Sequence, residues 1–170
     1  MKLYVGTYKK YNEGSLFGKW MDLADYKDAD EFLEACYELH KDEEDPELMF
    51  QDYEEDESWE GKLYSECSVP EEWWDIHDAL ENSYIDENIY SAYLSCVGDS
   101  PSVESIKACE EKYCGHYDSG ADYAQELAEE CGNIDSKNWL MRYIDWDAVW
   151  RDMTFDSYYE EDGYIFDMNR

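Results

Sequence analysis

Basic residues are scarce in this chain: 13 Lys and Arg stand against 45 Asp and Glu in 170 residues, for a formal net charge of -32. A DNA duplex carries one charge per ~1.7 Å of axis, so 32 uncompensated charges equal those of about 54 Å, or roughly 16 base pairs. Direct binding of DNA or RNA is excluded on this balance, because neutralising phosphates requires a basic patch and no window of the sequence supplies one. The expected partner is a protein that itself binds DNA.

Aliphatic residues are also few, since Leu, Ile, Val and Phe together number 28. That level with this charge usually marks disorder. Against it stand 29 aromatics, 17 Tyr and 7 Trp among them, each able to bury on the order of 150 to 250 Å². The expectation is a folded protein with a core of aromatic bodies and a salt-sensitive stability, because self-repulsion opposes compaction.

No apolar run approaches the ~18 residues of a membrane span, and no signal-peptide h-region is seen at the N-terminus, so a soluble, cytoplasmic protein without a membrane partner is expected. Six cysteines (Cys36, Cys67, Cys96, Cys109, Cys114 and Cys131) form no C-x-x-C pair. They are expected to be reduced thiols, mostly buried.

The fold class predicted is α+β. Residues 3–8 and 15–23 read as strands joined through Asn12-Glu13-Gly14. Asp28 and Glu31 have capping-box spacing for a helix to about His40, with Phe32, Leu33, Cys36 and Leu39 on one stripe that packs on the sheet. Residues 48–53 then form a third strand. From Pro70 the period turns helical: Trp73, Trp74, Ile76, His77 and Leu80 face one way, a second helix spans 86–97, and Ser100-Pro101 opens a third to about Tyr113. Ser119 caps a helix ending at Cys131-Gly132. Short helices over 136–143 and 145–153 follow, each with an N-cap candidate, and strands 155–159 and 164–167 close a hairpin through Asp162-Gly163. Three small units are therefore expected, an N-terminal α+β unit (1–68), a central helical unit (69–107) and a C-terminal α+β unit (108–170), arranged end to end as an elongated chain.

Catalytic and metal readings find little support. Asp56-Glu57-Ser58-Trp59-Glu60-Gly61 places glycine as a calcium loop does, but Cys67 stands where the closing Glu belongs. Cys109, Cys114 and His116 lack a usual structural zinc spacing, and His40 and His77 read as helix-surface or helix-end residues. Paired acids beside aromatics, as in Glu71-Glu72-Trp73-Trp74 and Tyr158-Tyr159-Glu160-Glu161, arise by chance among 45 carboxylates and do not by themselves make a glycosidase. There is no G-x-S-x-G, phosphate loop or Cys/His signature. The expectation is a protein that is not an enzyme and has neither cofactor nor metal.

A solvated surface would account for charge alone. Acids spread through all three segments, however, and lysines are scarce even on predicted helix faces, where i,i+4 pairing would recruit them. Carboxylates on rigid elements can stand where phosphates would.

Tyr4-Val5-Gly6-Thr7-Tyr8, Tyr11-Asn12-Glu13-Gly14, Gly18-Lys19-Trp20 and Gln51-Asp52-Tyr53-Glu54 resemble the opening of the antirestriction protein ArdA family. The resemblance continues through Tyr113-Cys114-Gly115-His116-Tyr117-Asp118-Ser119, residues 123–132, Tyr143-Ile144-Asp145-Trp146-Asp147 and Arg151-Asp152. It is collinear over nearly the whole chain; residues 70–97 match loosely, residues 55–59 replace a Gly or Pro turn, and the C-terminal hairpin is unusually rich in Tyr. The resemblance implies a DNA mimic, carried on plasmids and transposons, that pairs into homodimers. It would bind the methyltransferase core of type I restriction-modification enzymes and occlude their DNA-binding groove. It places the antirestriction motif, linked with dimer contacts, on Leu127, Ala128, Glu129, Glu130, Cys131 and Gly132. The phosphate-mimicking acids expected are Asp122, Glu126, Glu129, Glu130, Asp145 and Asp147. The rival reading is a general acidic binding module that shields some other DNA-binding protein.

Overall fold

The computed structural model describes residues 1–54, 62–132, 134–135 and 137–170, so the calcium-loop residues 56–61 lie outside the described residues. The chain groups into two compact units. The first holds Met1–Ser83 with Ser100–Val103, and the second Tyr84–Asp99 with Glu104–Arg170. The segment 69–107 is thus shared between them.

In the first unit, β1 (Lys2–Thr7) is followed by the short helix α1 (Tyr8–Asn12) and then by β2 (Lys19–Asp22). β1 is central, with β2 on one side and β3 (Leu48–Glu54) on the other, both antiparallel. The expected first strand was to include Tyr8. Instead Thr7 accepts a hydrogen bond from the Lys10 amide and caps α1, and Gly14, at φ 80°, turns the chain after it. Strand pairing resumes only at Lys19, four residues later than expected. Between Tyr4 and Val5 the β1–β3 register slips by one residue, leaving Gln51 as the bulged position. A Cβ on Gly6 would lie 2.4 Å from the Gln51 side-chain nitrogen, so glycine makes room for the bulge.

Helix α2 (Ala29–Leu39) begins where the Asp28 carboxylate accepts from the Glu31 amide at 2.9 Å. The Glu31 carboxylate reaches back to the Lys27 amide at 2.8 Å, so a capping-box pair operates one residue upstream of the usual partner. Phe32 and Cys36 are fully buried against the sheet, with Leu3, Val5, Leu23 and Phe50. Helix α3 (Glu72–Glu81) adds Trp73 and Trp74 to this core. Phe32 meets Tyr26, Phe50 and Trp74 at centroid distances of 5.2, 6.3 and 6.2 Å, and the Trp74 N–H donates to the Tyr26 carbonyl at 2.8 Å. Aromatic packing therefore supplies volume that aliphatic residues are too few to give.

In the second unit, α4 (Glu87–Val97) is capped by Asp86 and ended by Gly98 in the left-handed conformation. Helix α5 (Val103–Lys112) runs into β4 (Tyr113–His116), a strand not expected from the sequence. β4 pairs with β6 (Tyr164–Asp167), which pairs with β5 (Tyr158–Glu161), so the expected C-terminal hairpin is two strands of a three-stranded sheet. Its turn has φ 51° at Asp162 and 82° at Gly163, the positive pair that a type I′ turn needs. Helix α6 (Gly120–Glu130) follows β4. A 3-10 segment over Trp139–Tyr143, capped by Asn138, stands where a helix was expected from Ser136, which lies outside the described residues. Helix α7 (Trp146–Asp156) takes in Phe155, which had been expected in β5. Tyr90, Tyr93, Leu94, Ile106, Cys109, Ile165 and Phe166 are buried here.

One side-chain expectation holds and one is corrected. His40 does end a helix, at the C-cap of α2, yet it is wholly buried. Its Nε2 lies 3.3 Å from the Val5 carbonyl and its Nδ1 3.0 Å from Lys10 Nζ. The cysteines are not mostly buried: Cys36 and Cys109 are, Cys96 and Cys114 are half-buried, and Cys67 and Cys131 are exposed.

Candidate partner-binding surface

Ser119 sets the start of α6. Its hydroxyl accepts from the Asp122 amide at 3.2 Å and donates to the Asp122 carboxylate at 2.6 Å. Asp122, Glu126 and Glu130 are exposed at i, i+4 and i+8, which puts them on one face at a rise of ~6 Å per step. Glu129 is half-buried and accepts from the Gln125 amide group at 3.0 Å. The Tyr117 phenol, raised first by burial and then by the charge of Glu126 beside it, remains protonated at neutral pH.

The inner face of α6 buries Tyr123 and Ala124, with Leu127 and Ala128 half-covered. Cys131 and Gly132 are exposed at its end, and Gly132 takes φ 69° as its N–H bonds the Glu129 carbonyl at 3.0 Å. The structure thus places Leu127 to Gly132, where the resemblance would set the antirestriction motif, on the last turn of α6 and the bend that leaves it.

Asp145 and Asp147 stand exposed at the start of α7. Asp145 has a local duty as N-cap, accepting from the Ala148 amide at 3.0 Å. Asp147 sits in the first turn, where the helix dipole favours an anion. No such benefit attends Glu126, Glu129 and Glu130, which crowd the C-terminal half of α6, whose last turn holds no basic residue. Among the described residues, no Lys, Arg or His stands within ion-pair distance of any of these six carboxylates.

Helices α6 and α7 pack through aromatic rings. Trp150 meets Tyr123 at 6.1 Å, nearly perpendicular, and Tyr158 at 6.2 Å. No residue of α7 is fully buried. Large apolar side chains stand out around it: Phe155 is 80% exposed, Tyr143 68% and Trp139 64%. Arg142 lies over the rings of both Tyr143 and Trp139, at 5.0 and 6.0 Å.

Cys109, Cys114 and His116 are not brought together. Cys109 is buried on α5, the Cys114 thiol lies 3.5 Å from the Lys112 carbonyl, and the exposed His116 ring packs on Tyr164. Among the described residues, no group of three His, Cys, Asp or Glu is placed to hold a metal ion, and no helix is long and apolar enough to cross a membrane. One feature the sequence did not reveal is a cavity beside α7 and the β5–β6 turn. Its lining comes from two elements whose contact depends on where α7 ends, and the sequence pattern sets that end before Phe155.

No curated protein matches the chain. Residues 3–166 match the model of the family described as Antirestriction protein (ArdA), which is nearly the whole length, and the chain therefore belongs to the ArdA family of antirestriction proteins.

Proposed function

We propose that this chain inhibits type I restriction-modification enzymes by DNA mimicry, its carboxylates occupying the groove in which the methyltransferase core holds DNA. One observation carries the reading: the acids at the end of α6 sit where the helix dipole penalises them and where among the described residues no cation compensates them. A chain under pressure only to fold would place Lys or Arg there. Helices α2, α3, α4 and α7 show the same lack of a basic last turn. Asp122, Glu126, Glu129, Glu130 and Asp147 are the acids assigned to the partner's phosphate-contacting Lys and Arg, with Asp145 contributing from its cap position.

The protein works as a non-catalytic competitor in the cytoplasm, as a homodimer. The exposed Trp139, Leu140 and Tyr143, which follow the motif, supply an apolar face for the second copy. The decisive experiment titrates the protein into a complex of a type I methyltransferase with labelled duplex, read by fluorescence anisotropy at two salt concentrations. Displacement near stoichiometry, weaker at high salt, is the expected result, since released counterions govern such contacts. No displacement at either salt concentration rules the reading out.

A further inference from the structure

We propose that the cavity between α7 and the β5–β6 hairpin is a socket for one arginine side chain of the protein partner; this rests on the reading above. The cavity measures about 460 Å³ and lies wholly within the second unit. Three aromatic residues, Trp150, Tyr158 and Tyr159, and three acids, Glu160, Glu161 and Asp162, line it together with Thr154. The rings are held from behind: Trp150 and Tyr158 both pack on Tyr123, at 6.1 and 5.7 Å, and Trp150 covers Gly120 so closely that a Cβ there would come within 2.0 Å of the indole. Tyr159, by contrast, is 47% exposed. The tight turn at Asp162 and Gly163 fixes the backbone at the end of β5 that carries these acids.

This combination selects a guanidinium. A cation within ~6 Å of a ring centroid is attracted by the ring face, and arginine stacks and bonds carboxylates bidentately where the compact, strongly hydrated lysine head does neither well. Among the described residues, no Lys, Arg or His stands within ion-pair distance of Glu160, Glu161 or Asp162, so these acids have no internal counter-charge. A neutral sugar could also lie on the rings, but three carboxylates would gain nothing from it that water does not give. DNA itself offers no counterpart to an aromatic cage, so the socket would supply a short-range anchor within a surface that otherwise acts through its long-range field.

The test uses the ¹⁵N-labelled full chain and follows the Trp150 indole N–H, assigned by comparison with Trp150→Phe. N-acetyl-arginine amide is expected to shift it saturably and about threefold more tightly than N-acetyl-lysine amide, as stacking favours arginine. Glu160→Gln with Glu161→Gln should weaken the arginine probe about tenfold, and Tyr159→Ala, at an exposed ring, should do likewise with the remaining spectrum unchanged. A linear shift matched by NaCl at equal ionic strength overturns the socket, as does a saturable response to maltose with none to arginine. Tyr159→Ala should also raise the concentration needed to displace duplex from the methyltransferase. A wild-type protein that displaces DNA yet ignores the arginine probe removes the socket and leaves mimicry intact. One that takes up the probe but never displaces DNA removes the mimicry and, with it, this assignment of the occupant.

Discussion

Trp150 lies across Gly120: a Cβ built on that glycine would stand 2.0 Å from indole Cε2 and 2.2 Å from Nε1. The ring cannot step aside freely, because Tyr123 and Tyr158 hold it. Gly120→Ala is therefore expected to cost about 1–3 kcal/mol, the usual range for overpacking a filled site. Urea denaturation measures it, and combining Gly120→Ala with Trp150→Leu should cost less than the two changes added, since the second removes the clash created by the first.

His40 makes stability fall as the solution is acidified. Burial first, and then the Lys10 ammonium, hold its pKa below the ordinary value. The neutral ring accepts from Lys10 at Nδ1 and donates from Nε2 to the Val5 carbonyl, with the Phe17 ring edge-on at 5.7 Å. Because the folded value is depressed below the unfolded ~6.5, the unfolded chain takes up the proton first. This contribution is complete above the unfolded pKa and is lost as pH falls through it toward the folded value. Urea midpoints measured across this window should drop more steeply for wild type than for His40→Gln; equal slopes would remove His40 as the cause.

A second acid step lies lower. The Glu43 carboxyl is held down first by the Thr7 hydroxyl at 2.7 Å and then by Lys10, and that of Asp42 first by Lys10 at 2.8 Å. Depressed carboxyl values stabilise the fold above the unfolded ~4 and lose that effect as pH falls through the folded values. Lys10→Met, which strands both acids, should flatten this step and lower stability at pH 7, as a melting series from pH 7 to pH 3 would show.

Thiol reactivity should divide the six cysteines. Burial pushes Cys36 and Cys109 up to about 12 and Cys96 up to about 11, leaving almost no thiolate at pH 8. Native labelling with iodoacetamide, followed by peptide mass mapping, should modify Cys67 and Cys131 first and leave Cys36 and Cys109 untouched until denaturant is added.

Reversing Glu126, Glu129 and Glu130 to Lys together is expected to weaken inhibition of a type I methyltransferase by at least about tenfold, while each single neutralisation does little, because the field is shared. Inhibition titrations decide this. A large loss from one neutralised acid would point to a compact hot spot instead.

Helix positions were legible wherever a cap and an apolar period coincided. Asp28, Asp86, Ser119 and Asp145 each accept from a backbone amide three residues on. Short strands were not. Tyr113–His116 carries no alternation of its own and becomes β4 only because β6 lies beside it. Lys10 and His40 are 30 residues apart, and nothing local announces that they meet in a partly buried bond. Net charge and collinear motifs made the family readable before any coordinates, whereas the aromatic cavity needed the packing of α7 against the sheet to exist at all.

The stripe Asp122, Glu126 and Glu130 sets like charges at successive i,i+4 steps, an arrangement that costs an isolated helix about 0.2–0.5 kcal/mol per pair. Helix α6 is thus held under electrostatic tension by its own surface. Any array of cations laid along it relieves that tension, so its amides should exchange with solvent more slowly when such an array is bound. The same ions that shield the free helix in concentrated salt also compete with that array. Salt therefore tightens the isolated helix while loosening the hold that such an array would have on it, and the two dependences run in opposite directions for one and the same row of carboxylates.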